Sequence, residues 1–282
     1  MEKATLASKY LTFGEESKKL LAPRIVELLI DTFDKVYPGI CDFFNNGEIR
    51  EVVFEADPDF DSPPALIIVS VTTTVDDDET GEIISESTEI TENNKIKFNP
   101  NDKICQEETK DIDWITHELV HVAQNYRNVN CPSWICEGLA DYGRGKYGLH
   151  DKESGWKIWK GISNEKTYEI GYTIATGFFI WIEQNIDKTF SKDLNNTIKL
   201  GKYNDNYFVE KTGKPVDELW QIYVDENRAN FIVWLEKYID APLPTDIRNK
   251  IKLGEFDDEF DNYIIEKTGK SIDDLADLCM YW

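Results

Sequence analysis

The chain has 282 residues, 41% of them hydrophobic, which is enough to bury a core in one large domain or two smaller ones. Fifty-four acidic residues against 31 basic ones give a net charge of -23, which repels phosphate backbones, so nucleic acid is not expected as a partner. No apolar run reaches the roughly 18 residues that a membrane span requires.

The start, MEKATLASKYLTFGEESKK, has neither a continuous apolar segment nor a small-residue cleavage site, so the chain as written is expected to stay in the cytoplasm. Leu20, Leu21, Ile25, Leu28, Leu29, Phe33 and Val36 recur at helical spacing, with Pro23 close to the helix start. After the turn-rich NNGE come two β-branched runs, EVVFEA and ALIIVSVTTTV, which read as strands. DDDETGE reads as a hairpin turn into IISESTEIT, followed by a short separate strand, KIKF, ending at Asn99-Pro100. A calcium loop starting at Asp76 would need Glu at its twelfth position, where Ser87 stands.

Positions 51 to 94 hold thirteen Asp or Glu and no Lys or Arg. The plain reading is a surface kept soluble by charge; if these strands rim a cleft, they would also favour cationic substrates. The five cysteines are scattered and form no CxxC pair, so they read as free thiols, although Cys131 and Cys136 are close enough for a local disulfide.

From Asp111 onward the chain reads as mostly helical. Asp111 or Asp113 can cap a helix carrying Trp114 to Tyr126, Pro132 suits the start of another running toward Tyr147, and Tyr172 to Ile186 reads as a buried packing helix. The segment from Phe178 is echoed from Asn230: Trp181 matches Trp234, IKLG matches IKLG, and EKTGK matches EKTGK. Two copies imply a duplicated helical unit rather than a solenoid. The expected divisions are 1–110, 111–228 with the histidine motif, and 229–282 as a repeat extension.

Two of the chain's three histidines lie in HELVH. Residues four apart share a helix face, so His117 and His121 can present two imidazoles to one zinc ion, while Glu118 can reach a water on that ion without being a ligand. A catalytic zinc needs three protein ligands and one open position. The sequence after His121 lacks the glycine and third histidine of HxxGxxH, but WICEGLADY supplies Glu137 four residues before Asp141. One of these carboxylates can bind the metal while the other holds a ligating histidine; Glu137 is the expected ligand and Asp141 its outer partner, and spacing alone would allow the exchange.

HELVHVAQNY followed by EGLADYGRGK resembles the HExTHxxQ and EGxADYxR segments of the basic secretory proteins of plants and their microbial relatives, a gluzincin-like peptidase family. GYTIATGFFIWIE and FVEKTGKPVDELWQIY are similar to that family's later segments. The resemblance covers Lys95 to Glu226 best. It implies one catalytic zinc on His117, His121 and Glu137, Glu118 as general base, a zincin-like α+β fold in which a strand near KIKF borders the cleft, and secretion. The chain departs from the plant proteins in being strongly acidic and in its second C-terminal repeat.

The expected activity is zinc-dependent hydrolysis of peptide or protein substrates, with Tyr172, Tyr142 and His150 as candidate donors to the tetrahedral intermediate and Tyr172 preferred. No GxMEN-type segment precedes the motif, which favours an endopeptidase over an aminopeptidase. The rival reading is a catalytically silent zincin-fold protein that holds a partner through its acidic surface or helical repeat. A closed structural zinc site would want four ligands and favours cysteine.

Overall fold

The computed structural model describes residues 5–76, 83–105, 110–127, 129–159 and 167–279, with the backbone alone over 68–93. It is a mixed α+β fold. The first part runs α1 (Leu6–Tyr10), β1 (Leu11–Phe13), α2 (Ser17–Leu20), α3 (Pro23–Phe44), β2 (Val52–Ala56), β3 (Ala65–Asp76) and β4 (Ile83–Phe98). Then come α4 (Trp114–Gln124), α5 (Ser133–Tyr147), α6 (Asp151–Ser154), α7 (Tyr172–Asn185), α8 (Phe190–Lys199), α9 (Tyr207–Thr212) and α10 (Val216–Tyr238). The chain closes with α11 (Thr245–Leu253), α12 (Asp258–Thr268) and α13 (Ile272–Cys279). No described helix is long and apolar enough to cross a membrane.

Contacts divide the chain into two compact units: 1–132 with 139–157 and 192–203, and 133–138 with 158–191 and 204–282. The first unit is built on a four-stranded sheet in the order β1-β2-β4-β3. β1 and β2 pair in parallel, as do β2 and β4, while β3 runs antiparallel to β4. α3 starts with Pro23 at its first turn, where the missing N–H costs nothing, and buries Ile25, Leu29, Phe33, Val36, Ile40 and Phe44 at three- and four-residue spacing.

KIKF is not a separate strand. It is the end of β4, hydrogen-bonded to β2 on one side and β3 on the other, and β4 passes through Asn93-Asn94 with a register shift opposite Ile67 and Val69. The extra residue of a bulge absorbs the irregularity that reads as a break in sequence. The end strands of the sheet are β1 and β3. The acidic turn at 77–82 lies outside the described residues, as do the side chains of 68–93. Where side chains are described, two lysines at the end of β4 partly neutralise the acidic stretch. Glu55 pairs with Lys95 at 3.0 Å and Asp57 with Lys97 at 2.7 Å.

The second unit contains the repeat's matching turns. In the first copy Thr212 Oγ1 donates to Phe208 O at 2.6 Å and accepts from Lys214 N at 3.2 Å, with Gly213 at φ 79°. In the second copy Thr268 Oγ1 donates to Ile264 O at 2.7 Å and accepts from Lys270 N at 3.1 Å, with Gly269 at φ 68°. Both helices thus end in a left-handed glycine whose preceding threonine closes the last turn. The second copy has its own core of Phe231, Trp234, Leu235, Ile251, Phe260 and Leu275. Trp181 and Trp234, the matched tryptophans, are both buried.

Candidate metal centre

α4 carries the HELVH segment. Ile115, Leu119, Val122 and Ala123 are fully buried, which seats the helix on the core and leaves His117 and His121 on one shared face. The helix stops at Asn125, left-handed at φ 49°, and its last carbonyls are taken by two cations. Arg50 Nη1 donates to Val122 O at 2.6 Å and Lys199 Nζ to Ala123 O at 3.1 Å. Cations at a helix C-terminus oppose its negative end, and burial pulls the Lys199 ammonium down to about 8.

α5 approaches closely because of Gly143. A Cβ there would lie 2.3 Å from Val120 Cγ2 and 3.0 Å from Phe44 Cε2, distances that no side chain tolerates. That approach lets Asp141, two residues earlier, reach His117: Oδ1 is 2.6 Å from Nδ1, with Asp141 4% exposed. His121 Nδ1 is in turn 2.9 Å from Gln124 Oε1. The two Nε2 atoms face one another at 3.1 Å.

Glu137 lies one turn before Asp141 on α5, and its carboxylate joins the two imidazoles in the group able to hold a metal, all ligand atoms lying within 4.8 Å of one another. The chemistry of the donors fits zinc. With each Nδ1 directed at an oxygen acceptor, both Nε2 lone pairs converge, and 3.1 Å is close to the roughly 3.3 Å expected between two nitrogens about 2.05 Å from a tetrahedral ion.

Glu118, 7% exposed, accepts the main-chain N–H of Leu66 on its Oε2 at 2.8 Å. Leu66 belongs to β3, so the sheet's end strand holds this carboxylate. Tyr172 begins α7 half-exposed, at φ 49°, directly after Gly171. Gly171 has φ 78° and ψ -150°, and a Cβ there would meet Trp134 Cα at 3.1 Å and Glu137 Cβ at 3.3 Å. Glycine alone lets this segment close on α5 beside Glu137. Thr176 Oγ1 fastens α7 to the same helix, donating to Gly138 O at 2.7 Å.

The other two donor candidates are elsewhere. Tyr142 is buried with its ring 5.5 Å from that of Phe43, one step round α5 from Asp141. His150 caps α6, and its main-chain N–H donates to Asp113. Nearby, Arg144 bonds Asp111 at 2.7 Å and Asp151 at 2.8 Å, and burial pushes the Asp151 carboxyl up to about 6 in spite of that arginine. No disulfide is formed among the described cysteines, Cys131 and Cys136 included.

Sequence reasoning missed two contacts. Gln124 stands three residues after His121, a spacing that brings side chains together on a helix, and it is the glutamine of the HExTHxxQ match; both were available signals. The Leu66 contact comes from the backbone and leaves no trace in side-chain pattern.

A family model described as peptidase of plants and bacteria matches residues 60–223. No curated protein and no solved structure matches the chain.

Proposed function

The chain belongs to the basic secretory protein family, peptidases of plants and bacteria, and on that premise we propose that it is a zinc-dependent endopeptidase with a zincin-like catalytic fold. The observation that carries this reading is the convergence of His117, His121 and Glu137 next to a glutamate held by the end strand of the sheet. Zinc bound there would supply a Lewis acid for the scissile carbonyl and lower the pKa of an attacking water toward about 7.

The chain's own residues do the rest. Asp141 fixes the ring of His117 and raises its basicity, and Gln124 does the orienting for His121. The N–H of Leu66 holds one oxygen of Glu118, which limits the carboxylate's rotation and directs it. Glu118 takes the proton of the attacking water and delivers it to the leaving amine. Tyr172 is assigned the hydroxyl that donates to the oxyanion of the tetrahedral intermediate, since it directly follows Gly171, whose backbone closes on Glu137, and is half-exposed. The substrate is a peptide or protein, with Lys or Arg near the cut favoured by the acidic sequence at 51 to 94.

Metal analysis and a peptide-library assay of the wild type and Glu118→Gln test the proposal. The expected result is one zinc in both proteins, with cleavage by the wild type and a loss of about 100- to 10,000-fold in the variant. Zinc without cleavage of any library member would leave a binding protein on a peptidase fold, and no zinc would sink the ligand assignment.

A further inference from the structure

We infer that Lys199 is a positioning residue for the metal site: its ammonium holds the last turn of α4 and, through that turn, the ring of His121. The inference rests on the metal reading above and adds to it a residue of α8 that touches none of the ligands. The last carbonyls of a helix have no partner within it and must find one outside. In α4, His121 O accepts the N–H of Asn125 at 3.1 Å, Val122 O accepts from Arg50, and Ala123 O accepts from Lys199 Nζ at 3.1 Å. An ammonium can donate in three directions. The same Nζ also donates to Phe44 O at 3.1 Å and to Asn45 Oδ1 at 2.5 Å, at the end of α3.

One cation thus joins the negative ends of two helices, each of which favours it there. Asn195, four residues earlier on the same face of α8 and fully buried, donates to Phe44 O at 3.1 Å and accepts from Tyr126 Oη at 2.9 Å. The last turn of α4 is thereby referenced to α3, whose apolar face is the most deeply anchored part of this unit. His121 stands on that turn, and its 2.9 Å approach to Gln124 Oε1 spans it. The repeat supplies an internal comparison. The two IKLG segments match Lys199 with Lys252 and Asn195 with Arg248. Ile198 and Ile251, the residues before the two lysines, are both fully buried, so both helices sit on their cores alike. Yet Lys252 is exposed, and Arg248 pairs with Glu236. The helical unit is complete without an inward lysine, and the lysine turns inward where α8 meets the end of α4.

The test uses the full chain and begins without metal. Amide hydrogen exchange compares Asn125, whose N–H closes the last turn of α4, with Leu29 in the buried middle of α3, which reports global opening. Lys199→Met should speed exchange at Asn125 about tenfold relative to Leu29, because hydrogen bonds from a charged donor are lost, and Lys252→Met should change neither. Zinc affinity by chelator competition should fall about tenfold in Lys199→Met and stay at the wild-type value in Lys252→Met. With cobalt saturating the site, the visible absorption, which reports ligand geometry, should shift in Lys199→Met alone. Unchanged exchange at Asn125, or equal acceleration at Asn125 and Leu29, overturns the inference. Faster exchange at Asn125 with wild-type zinc affinity and an unshifted cobalt spectrum also overturns it, since Lys199 would then only stabilise the fold. Should Lys199→Met not fold, Lys199→Arg, which keeps the charge but offers a flat fork in place of three converging N–H groups, is read in the same way. A wild type that binds neither zinc nor cobalt sinks the metal reading itself, a result distinct from failure of the Lys199 contact, which the metal-free exchange rates show on their own.

Discussion

Asp141→Asn removes one negative charge from a carboxylate 4% exposed and 2.6 Å from His117 Nδ1, and leaves the shape of the side chain unchanged. A hydrogen bond to a charged group is worth about 1.5–3 kcal/mol and a neutral one about 0.5–1.5, so the exchange forfeits roughly 1–2 kcal/mol. Carried into metal binding, that raises the zinc Kd about 5- to 30-fold, which overlaps the roughly 10- to 100-fold cost of losing an outer partner of a ligand. Glu137→Gln removes a charged ligand and should cost more than Asp141→Asn. Competition against a fluorescent chelator gives both affinities, and melting of the metal-free proteins controls for loss of fold. If Asp141→Asn weakens zinc more than Glu137→Gln does, the two carboxylates have exchanged roles; if it changes nothing, the bond to His117 does not tune the ligand.

Gly171→Ala forces a side chain into a backbone conformation reserved for glycine and against Trp134 and Glu137, so unfolding free energy should fall by about 1–3 kcal/mol together with zinc affinity. Wild-type melting and affinity in that variant would refute the close approach. Burial pushes the Cys41 thiol up to about 11 and that of Cys105 up to about 12, so the folded chain keeps protons that the unfolded chain loses above its ordinary thiol value. Their contribution is intact below about pH 9 and is lost as pH rises toward 11 and 12, at about 1.4 kcal/mol for each thiol near pH 10. Lys199, pulled down to about 8, acts with the opposite sign from about pH 8 to its unfolded value, so the thiols are isolated by comparison with Cys41→Ala/Cys105→Ala. Denaturant titrations at about pH 8 and 10 should show the double variant losing about 3 kcal/mol less than the wild type, and parallel losses would contradict the assignment.

The parts of the site legible in sequence were those fixed by one helical period. His117 and His121, and Glu137 and Asp141, are each four apart, and the structure brings both pairs to the same place. The repeat was legible from residue identity, and its two copies end in the same threonine turn. Strand order was not legible, because which strand lies beside Glu118 depends on pairings between segments far apart in the chain. KIKF read as an independent strand because asparagines usually punctuate strands, whereas here a bulge carries β4 through them. Gln124 lies in the segment that resembles HExTHxxQ, yet that match gives it no role, and only the ring beside it gives it a task.

α10 runs from Val216 to Tyr238, and the stretch matched to the family ends within it, at residue 223. Leu219 and Tyr223 are buried on its first half, while Phe231, Trp234 and Leu235 are buried in the second copy's core. One rod therefore serves as the last beam of the stretch matched to the family and the first beam of the second copy's core. A duplication joined in this way has no clean seam: trimming the chain at Tyr238 would strip the cover from three large side chains.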